Sequence, residues 1–489
     1  MYDFFKNISS KSTCQSIGVC TLHPSINTLY EILLNEVKQI AFYLVKLKEF
    51  GITNNSTMSL CIDCLSIFLI NTNYNQKQYL KLLNKIHLEK QEVKKKYIDF
   101  CAQKQYPCEI LNTEFCFNES FSINQLIEKF EEMTSLKQKN EDNSKLKLFE
   151  LIKIYCRICA INIVKIKQFE KNYNEFYFEI LRFLALCNSY SIRNEKIIRR
   201  IISFCDISTK INQKLFKLYE NAYGKKQDAD ISTGEIEGKC ILISGSDFKD
   251  LENLIHTLEK NQIENINIYT NGALFLAHFY PYFKNNKFIK GHFGTDDSQF
   301  DFSIFPGPIL ITQNFINKID NLYKGNIYSN KLISFEKFLF IKDNDFSPLI
   351  QSAIELEGFL KTKEEEKIII NYDIPKINEF LKNTNEKEIA IIIGKTNDNK
   401  CLKEHKGIKI LSINCPCEND ILDETIEILK EKEIKATFFF SQCNLDNLNV
   451  VLSLLNQNFT IYFSHCSNVL INQHAIEALR DYFNIKLIN

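Results

Sequence analysis

The fold class expected from the residues is α + α/β, with a helical bundle leading into two doubly wound parallel-sheet α/β domains. Three observations lead there. Up to about residue 225, apolar residues recur at three- and four-residue spacing in long segments. From Lys239 to Thr312, short isoleucine-rich runs flank an amphipathic segment, in the order strand, helix, strand. The same alternation returns from Lys367 onward. The expected divisions are an all-helical domain over 1–225, a first α/β domain over 226–362 and a second over 363–489.

In the helical part, Pro24–Phe50 places Leu29, Ile32, Leu33, Val37, Ile40, Ala41, Leu44 and Val45 on one face, and Gly51 ends it. Further helices are read at Gln78–Gln103, Ile123–Met133, Ser144–Gln168, Tyr173–Cys187 and Glu195–Cys205. Residues 134–143 and 222–236 are polar and read as linkers. Cys61 and Cys64, and likewise Cys156 and Cys159, fall on apolar helical segments and are expected in the core. Roughly 27 helical residues at about 1.5 Å each put about 40 Å between Cys20 and the next helix, so Cys61 and Cys64 should not share a site with Cys14 and Cys20.

In the first α/β segment, Cys240–Ser244 suits a buried strand and Gly245-Ser246-Asp247 a turn, with Ser246 or Asp247 able to cap a helix bearing Leu251, Leu254, Ile255 and Leu258. Strands follow at Asn265–Thr270 and, after the Pro306-Gly307-Pro308 turn, at Ile309–Thr312. Ser347-Pro348 is read as cap and first residue of the last helix, which stops at Gly358. The second segment has strands at Ile368–Asn371, Ile389–Ile393, Ile408–Ile413, Ala436–Phe440 and Thr460–Phe463. Its helices are Ile374–Leu381, Asp420–Glu431, Leu445–Leu455 and Gln473–Phe483. In such sheets ligands bind beyond the carboxyl ends of the strands, where Ser246, Ala273 and Phe315 fall.

Composition narrows the function. With 489 residues and a net charge of zero, nothing points to nucleic acid. No apolar run reaches the roughly 18 residues a membrane helix needs. The N-terminal MYDFFKNISSK lacks a signal-peptide core, so a cytoplasmic protein is expected. The 17 cysteines should then be thiols, metal ligands or core residues rather than disulfides. Glycine, at 14 residues, is about half its usual share, leaving few loops able to wrap a cofactor closely.

The segments KCILISGSDFKDL, YTNGALFLAHFYP and FPGPILITQNF, in this order and spacing, resemble the middle domain of the hybrid cluster protein family (prismane proteins, hydroxylamine reductases), relatives of the nickel carbon monoxide dehydrogenases. STCQSIGVCTL near the N-terminus also resembles the family, and the resemblance covers essentially the whole chain. It implies a helical bundle and two Rossmann-like domains. It also implies two clusters: a cubane near the N-terminus and a hybrid iron–sulfur–oxygen cluster.

Carried over position by position, the ligands are mostly exchanged. Cys14 and Cys20 match the last two cubane cysteines, while Asp3 and Lys6 stand where the first two belong, and a cubane needs all four. For the hybrid cluster, the family's histidine falls at Ser246, its glutamate at Ala273, a cysteine at Phe315 and the persulfide-bearing cysteine at Thr396. Cys415 and Cys443 are retained, and the late glutamate and lysine fall in a segment absent between Cys443 and Thr460. A conventional hybrid cluster is therefore not expected.

Two readings follow. In the first, the chain is a degenerate, hydroxylamine reductase-like family member, a pseudoenzyme serving as scaffold or as homo- or hetero-oligomeric partner of an intact relative. The alternative is a metal-dependent oxidoreductase with an altered site, iron–sulfur or zinc, built from Cys415, Cys417, Cys443 and Cys466 at the ends of consecutive strands, with His465 spare. His278 is expected to be structural, and Asp247 and Lys249 to cap and solvate a helix.

Overall fold

The computed structural model describes residues 24–67, 75–111, 120–138, 143–189, 191–294, 302–312, 325–331, 338–363, 367–370, 374–393, 409–413, 420–440, 459–464, 473–483 and 485–488, with a few single residues between them. Contacts divide the chain into two compact units. One comprises Met1–Ile67, Leu80–Phe216 and Asp373–Asn489, the other Phe68–Tyr79 and Lys217–Tyr372.

The helical part contains α1 (Pro24–Glu49), α2 (Asn55–Leu65), α3 (Gln76–Lys104), α4 (Ile123–Gln138), α5 (Asn143–Phe169), α6 (Tyr177–Ala185) and α7 (Asn194–Tyr223). The face expected of α1 is buried from Leu29 to Leu44. Asn54 caps α2 by accepting from the Thr57 amide at 3.2 Å. Cys61, Cys64, Cys156 and Cys159 are all buried, and burial pushes each thiol up, Cys159 to about 12. They are core residues. The core also holds charge: Lys90 on α3 donates to Glu36 at 2.8 Å and Gln39 at 3.1 Å on α1, while His87 meets the second Glu36 oxygen at 2.9 Å.

Helix α7 runs well beyond the expected Cys205. Ile197, Ile201, Phe204, Ser208, Ile211, Leu215, Tyr219 and Tyr223 recur every three or four residues and are buried. Lys210, Gln213 and Lys217 between them are exposed, and buried Ser208 and Asn212 interrupt the apolar stripe, which is why the segment reads as polar.

The second unit is built on a six-stranded sheet of β2 (Lys239–Ser244), β3 (Ile266–Asn271), β4 (Ile289–His292), β5 (Ile309–Ile311), β6 (Ile327–Ser329) and β7 (Leu339–Phe340), in the order β4-β3-β2-β5-β6-β7. Every pairing is parallel, with Lys239 opposite Ile266 and Leu242 opposite Ile309. Numbered from β2, this is the doubly wound order 3-2-1-4-5-6, whose crevice opens between β2 and β5. Helix α8 (Phe248–Lys260) makes the first crossover and buries Leu251, Leu254, Ile255 and Leu258. Phe248, Tyr280, Phe283, Tyr219 and Tyr223 form an aromatic cluster, anchored by the Tyr223 hydroxyl, which donates to Glu252 at 2.8 Å. Helix α9 (Pro281–Lys284) is a single turn, and α10 (Ser347–Glu355) starts one residue earlier than read: Ser347 is inside the helix and its amide donates to Asp345 at 3.1 Å.

One strand lies elsewhere than its order in sequence suggests. The run after Lys367 was expected to open the second doubly wound sheet. Instead β8 (Lys367–Ile370) pairs antiparallel with β1 (Ala229–Ser232), inside the presumed 222–236 linker, as a separate two-stranded ribbon. A four-residue apolar run carries no record of which partner it hydrogen-bonds.

The remaining elements are α11 (Ile374–Asn383), β9 (Glu388–Ile393), β10 (Lys409–Ile413), α12 (Asp420–Glu431), β11 (Lys435–Phe440), β12 (Thr460–Ser464), α13 (Gln473–Phe483) and β13 (Lys486–Ile488). The helix read at Leu445–Leu455 lies largely outside the described residues. The five strands are all parallel in the order β10-β9-β11-β12-β13, which is the 2-1-3-4-5 doubly wound arrangement. Thr425 on α12 donates to Asn378 on α11 at 2.6 Å in the buried helix pair. Lys147 on α5 joins this region to the bundle through Glu477 at 3.0 Å and Asp481 at 2.9 Å on α13.

Candidate functional site

The carboxyl edge of the six-stranded sheet is the place a ligand would occupy, and it is closely bonded. β2 ends in Ser244 and β3 in Asn271; the Ser244 hydroxyl donates to the Asn271 side chain at 2.7 Å, and the Asn271 amide group donates to the Phe293 carbonyl at 2.8 Å beyond β4. Across the crevice, the Thr312 amide donates to the Ser244 carbonyl at 2.8 Å. The chain then turns at Gly245, whose φ of +133° lies outside what a side chain tolerates.

Ser246 and Ala273 follow on neighbouring loops. The Gly245 amide donates to the Asn271 carbonyl at 3.3 Å, and a Cβ on Gly272 would lie 3.7 Å from the Gly245 backbone. The two loops therefore touch immediately before these residues. Asp247, not Ser246, caps α8: its carboxylate accepts from the Lys249 amide at 3.1 Å and the Asp250 amide at 3.2 Å. Lys249 reaches Glu252 at 2.8 Å, as a solvated helix residue does.

Sequence reading missed the charged centre of this edge. Lys331, just past β6, bridges Asp247 at 2.9 Å and Asp250 at 2.7 Å, and Asn330 donates to Asp250 at 2.7 Å. Burial and then the Asp247 charge push Asp250 up to about 6, against the lysine; Lys331 is held above its ordinary value by the two carboxylates, which outweigh burial. The i, i+3 spacing of the two aspartates signalled a shared helical face, but Lys331 arrives from a distant strand with no local sign.

Beside Ala273, the short 3-10 helix Gly272–Phe279 returns His278 to the sheet. The Thr270 hydroxyl lies 2.8 Å from His278 Nε2 and 3.0 Å from His292 Nδ1. The hydroxyl has one proton, which the Gly291 carbonyl at 3.4 Å can also accept, so at least one of the two rings donates to the oxygen. Burial lowers both histidines, His278 to about 3 with His292 adding, and His292 to about 4, so both are neutral at physiological pH. His278 is thereby held within the sheet edge by Thr270, and its neighbour His292 was not anticipated.

Strand order also bears on the cysteine set. Cys443 and Cys466 follow β11 and β12, which are neighbours, but Cys415 and Cys417 follow β10, and β9 lies between β10 and β11. The ends of β10 and β11 are thus two strand spacings apart, about 10 Å, rather than one. The crevice of this sheet opens between β9 and β11, the strands that precede Thr396 and Cys443. Cys14, Cys20, Phe315, Thr396, Cys415, Cys417, Cys443, His465 and Cys466 themselves lie outside the described residues.

A run of long helices and two doubly wound parallel sheets define an α + α/β class of protein. Within that class, the chain matches the Prismane/CO dehydrogenase family over residues 7–474, and it belongs to that family. Among similar proteins, a hydroxylamine reductase of Syntrophobacter fumaroxidans is 27% identical over 398 residues, covering 78% of this chain and 71% of the relative. One of Thermodesulfovibrio yellowstonii is 27% identical over 375 residues, covering 73% and 66%. One of Methanocella arvoryzae is 23% identical over 399 residues, covering 78% and 71%.

The family implies an iron–sulfur cofactor, and the described edge does not fit it. Iron in such clusters is gripped by thiolate, imidazole or carboxylate. At the two described positions where the resemblance places ligands, Ser246 offers a neutral hydroxyl and Ala273 a methyl group. The nearby carboxylates of Asp247 and Asp250 are already engaged by Lys331. No group of three or more metal-ligating side chains occurs among the described residues. No helix among them is long and apolar enough to cross a membrane.

Proposed function

We propose that this chain is a family member that has given up cluster-dependent reduction and acts as a scaffold or oligomeric partner, in the cytoplasm, of an intact relative. The carrying observation is the pair of touching loops after β2 and β3. Where the family presents a histidine and a glutamate to the cluster, this chain presents Ser246 and Ala273, in an edge tied together by Ser244, Asn271 and Thr312. A cavity stripped of its ligands is costly to leave open and polar, and closing it with hydrogen bonds and an internal ion pair removes that cost.

The test is iron, sulfide and zinc analysis of anaerobically purified protein, with hydroxylamine consumption assayed under a strong reductant. Substoichiometric metal and no consumption above buffer are expected; stoichiometric iron with turnover overturns the reading. A second reading, an oxidoreductase with an altered iron–sulfur or zinc site, is favoured by Cys443 and Cys466 following adjacent strands. It predicts bound metal that Cys443→Ser removes, and unchanged metal content in that variant refutes it.

A further inference from the structure

The end of α3 carries a feature outside both sheets. Cys108 is exposed, whereas the other eight cysteines among the described residues are buried. It lies in a loop folded back onto the last turns of its own helix. The Tyr106 amide donates to the Cys101 carbonyl at 2.9 Å, with Gln105 turned into the left-handed region at φ 51°. The Glu109 amide donates to the Tyr97 hydroxyl at 3.1 Å, and the Glu109 carboxylate meets Lys46 of α1 at 2.5 Å. The loop is thus clamped on both sides of Cys108, against the turn that carries Tyr97 and Cys101. Tyr106 and Glu109, on either side of Cys108, are thus fixed to Cys101 and Tyr97, which holds Cys108 alongside that turn.

We propose that Cys101 and Cys108 form an oxidative modification site, which closes to a disulfide when the protein meets a small-molecule disulfide such as oxidised glutathione. The Cys108 thiolate attacks one sulfur of the oxidant, forming a mixed disulfide and expelling one glutathione thiolate, which takes up the proton Cys108 lost. Cys101 then gives up its proton and attacks the Cys108 sulfur, breaking the mixed disulfide and expelling the second glutathione. Two protein thiols are oxidised and one glutathione disulfide is reduced to two thiols. The first step needs the exposure of Cys108, and the second is intramolecular, between residues that the clamped loop holds beside the same helical turn. Closing to a bond of about 2.05 Å requires movement that the exposed loop, rather than the buried helix, supplies. Burial first, and then Cys101, hold the Cys108 thiol above its ordinary value, so the first step is slow at neutral pH and quickens as pH rises.

The test is peptide mapping, without reduction, of the native full-length protein after exposure to oxidised glutathione. A Cys101–Cys108 linked peptide is expected, forming about tenfold faster per pH unit while the thiol remains mostly protonated. Cys101→Ser should trap the glutathione adduct on Cys108, and Cys108→Ser should leave Cys101 unmodified. Should Cys101→Ser disturb the core, Cys101→Ala replaces it, and the wild-type map stands by itself. Accumulation in the wild type of the Cys108 adduct beside a free Cys101, or a linked peptide only after denaturation, overturns the proposal.

Discussion

Lys331→Met isolates the charged centre of the sheet edge. The ammonium lies 2.9 Å from Asp247 and 2.7 Å from Asp250. At an effective dielectric near 20, each contact is worth about 6 kcal/mol before desolvation is counted. Net, removing one member of a buried ion pair costs about 3–5 kcal/mol. The lysine side chain is 18% exposed, which places the expected loss near the lower end, about 3 kcal/mol. The loss should depend on pH with a definite sign. Asp250 already titrates at about 6 rather than 3.8, and it rises further without the cation. A carboxyl whose folded value is raised is tolerated while protonated and penalised as pH rises through that value. The destabilisation should therefore be smaller at pH 5, where only the Asp247 contact is lost, than at pH 8. With no tryptophan in the chain, scanning calorimetry is the suitable readout. A loss of about 3 kcal/mol in a unit of this size lowers Tm by about 6–12 °C. Equal shifts at pH 5 and pH 8, or a loss below about 1 kcal/mol, would refute the reasoning.

Two further outcomes are expected of the same unit. His278 and His292 have folded values of about 3 and about 4, below the usual 6.5, so they stabilise fully above pH 6.5 and lose that contribution as pH falls. His292→Asn should flatten the stability-against-pH slope between pH 6.5 and 4 by about one proton, about 1.4 kcal/mol per pH unit, and an unchanged slope in urea titrations contradicts this. Gly358 has φ +75°, and a Cβ there would lie 2.1 Å from the Gly238 carbonyl oxygen, which accepts from the Phe359 amide at 3.0 Å. Gly358→Ala should cost about 3 kcal/mol or more, whereas Gly51→Ala, at φ +79° with nothing within 4 Å, should cost only about 1 kcal/mol. Equal costs would show that the close approach contributes nothing.

Much of the fold was legible because its signals are local. The isoleucine run of β2, the Gly245 turn, the Asp247 cap and the spacing of Leu251, Leu254, Ile255 and Leu258 lie within about twenty residues and specify strand, turn and helix without reference to anything distant. The buried cysteine pairs of α2 and α5 were legible for the same reason. The tail of α7 was not, because its apolar stripe is interrupted by buried Ser208 and Asn212 and flanked by exposed lysines.

At the candidate site the division is sharper. Which side chains stand after each strand is a property of the chain alone, and Ser246 and Ala273 were in view from the start. Sequence alone also established the family motifs and the alternation of strands and helices. Tertiary structure alone decided who meets whom: Lys331 reaching Asp247 and Asp250 from β6, His292 sharing Thr270 with His278, β8 leaving its expected sheet for β1, and β9 standing between β10 and β11. Hydrogen bonds between strands and ion pairs between loops are contacts across sequence distance, and no local periodicity encodes their partners.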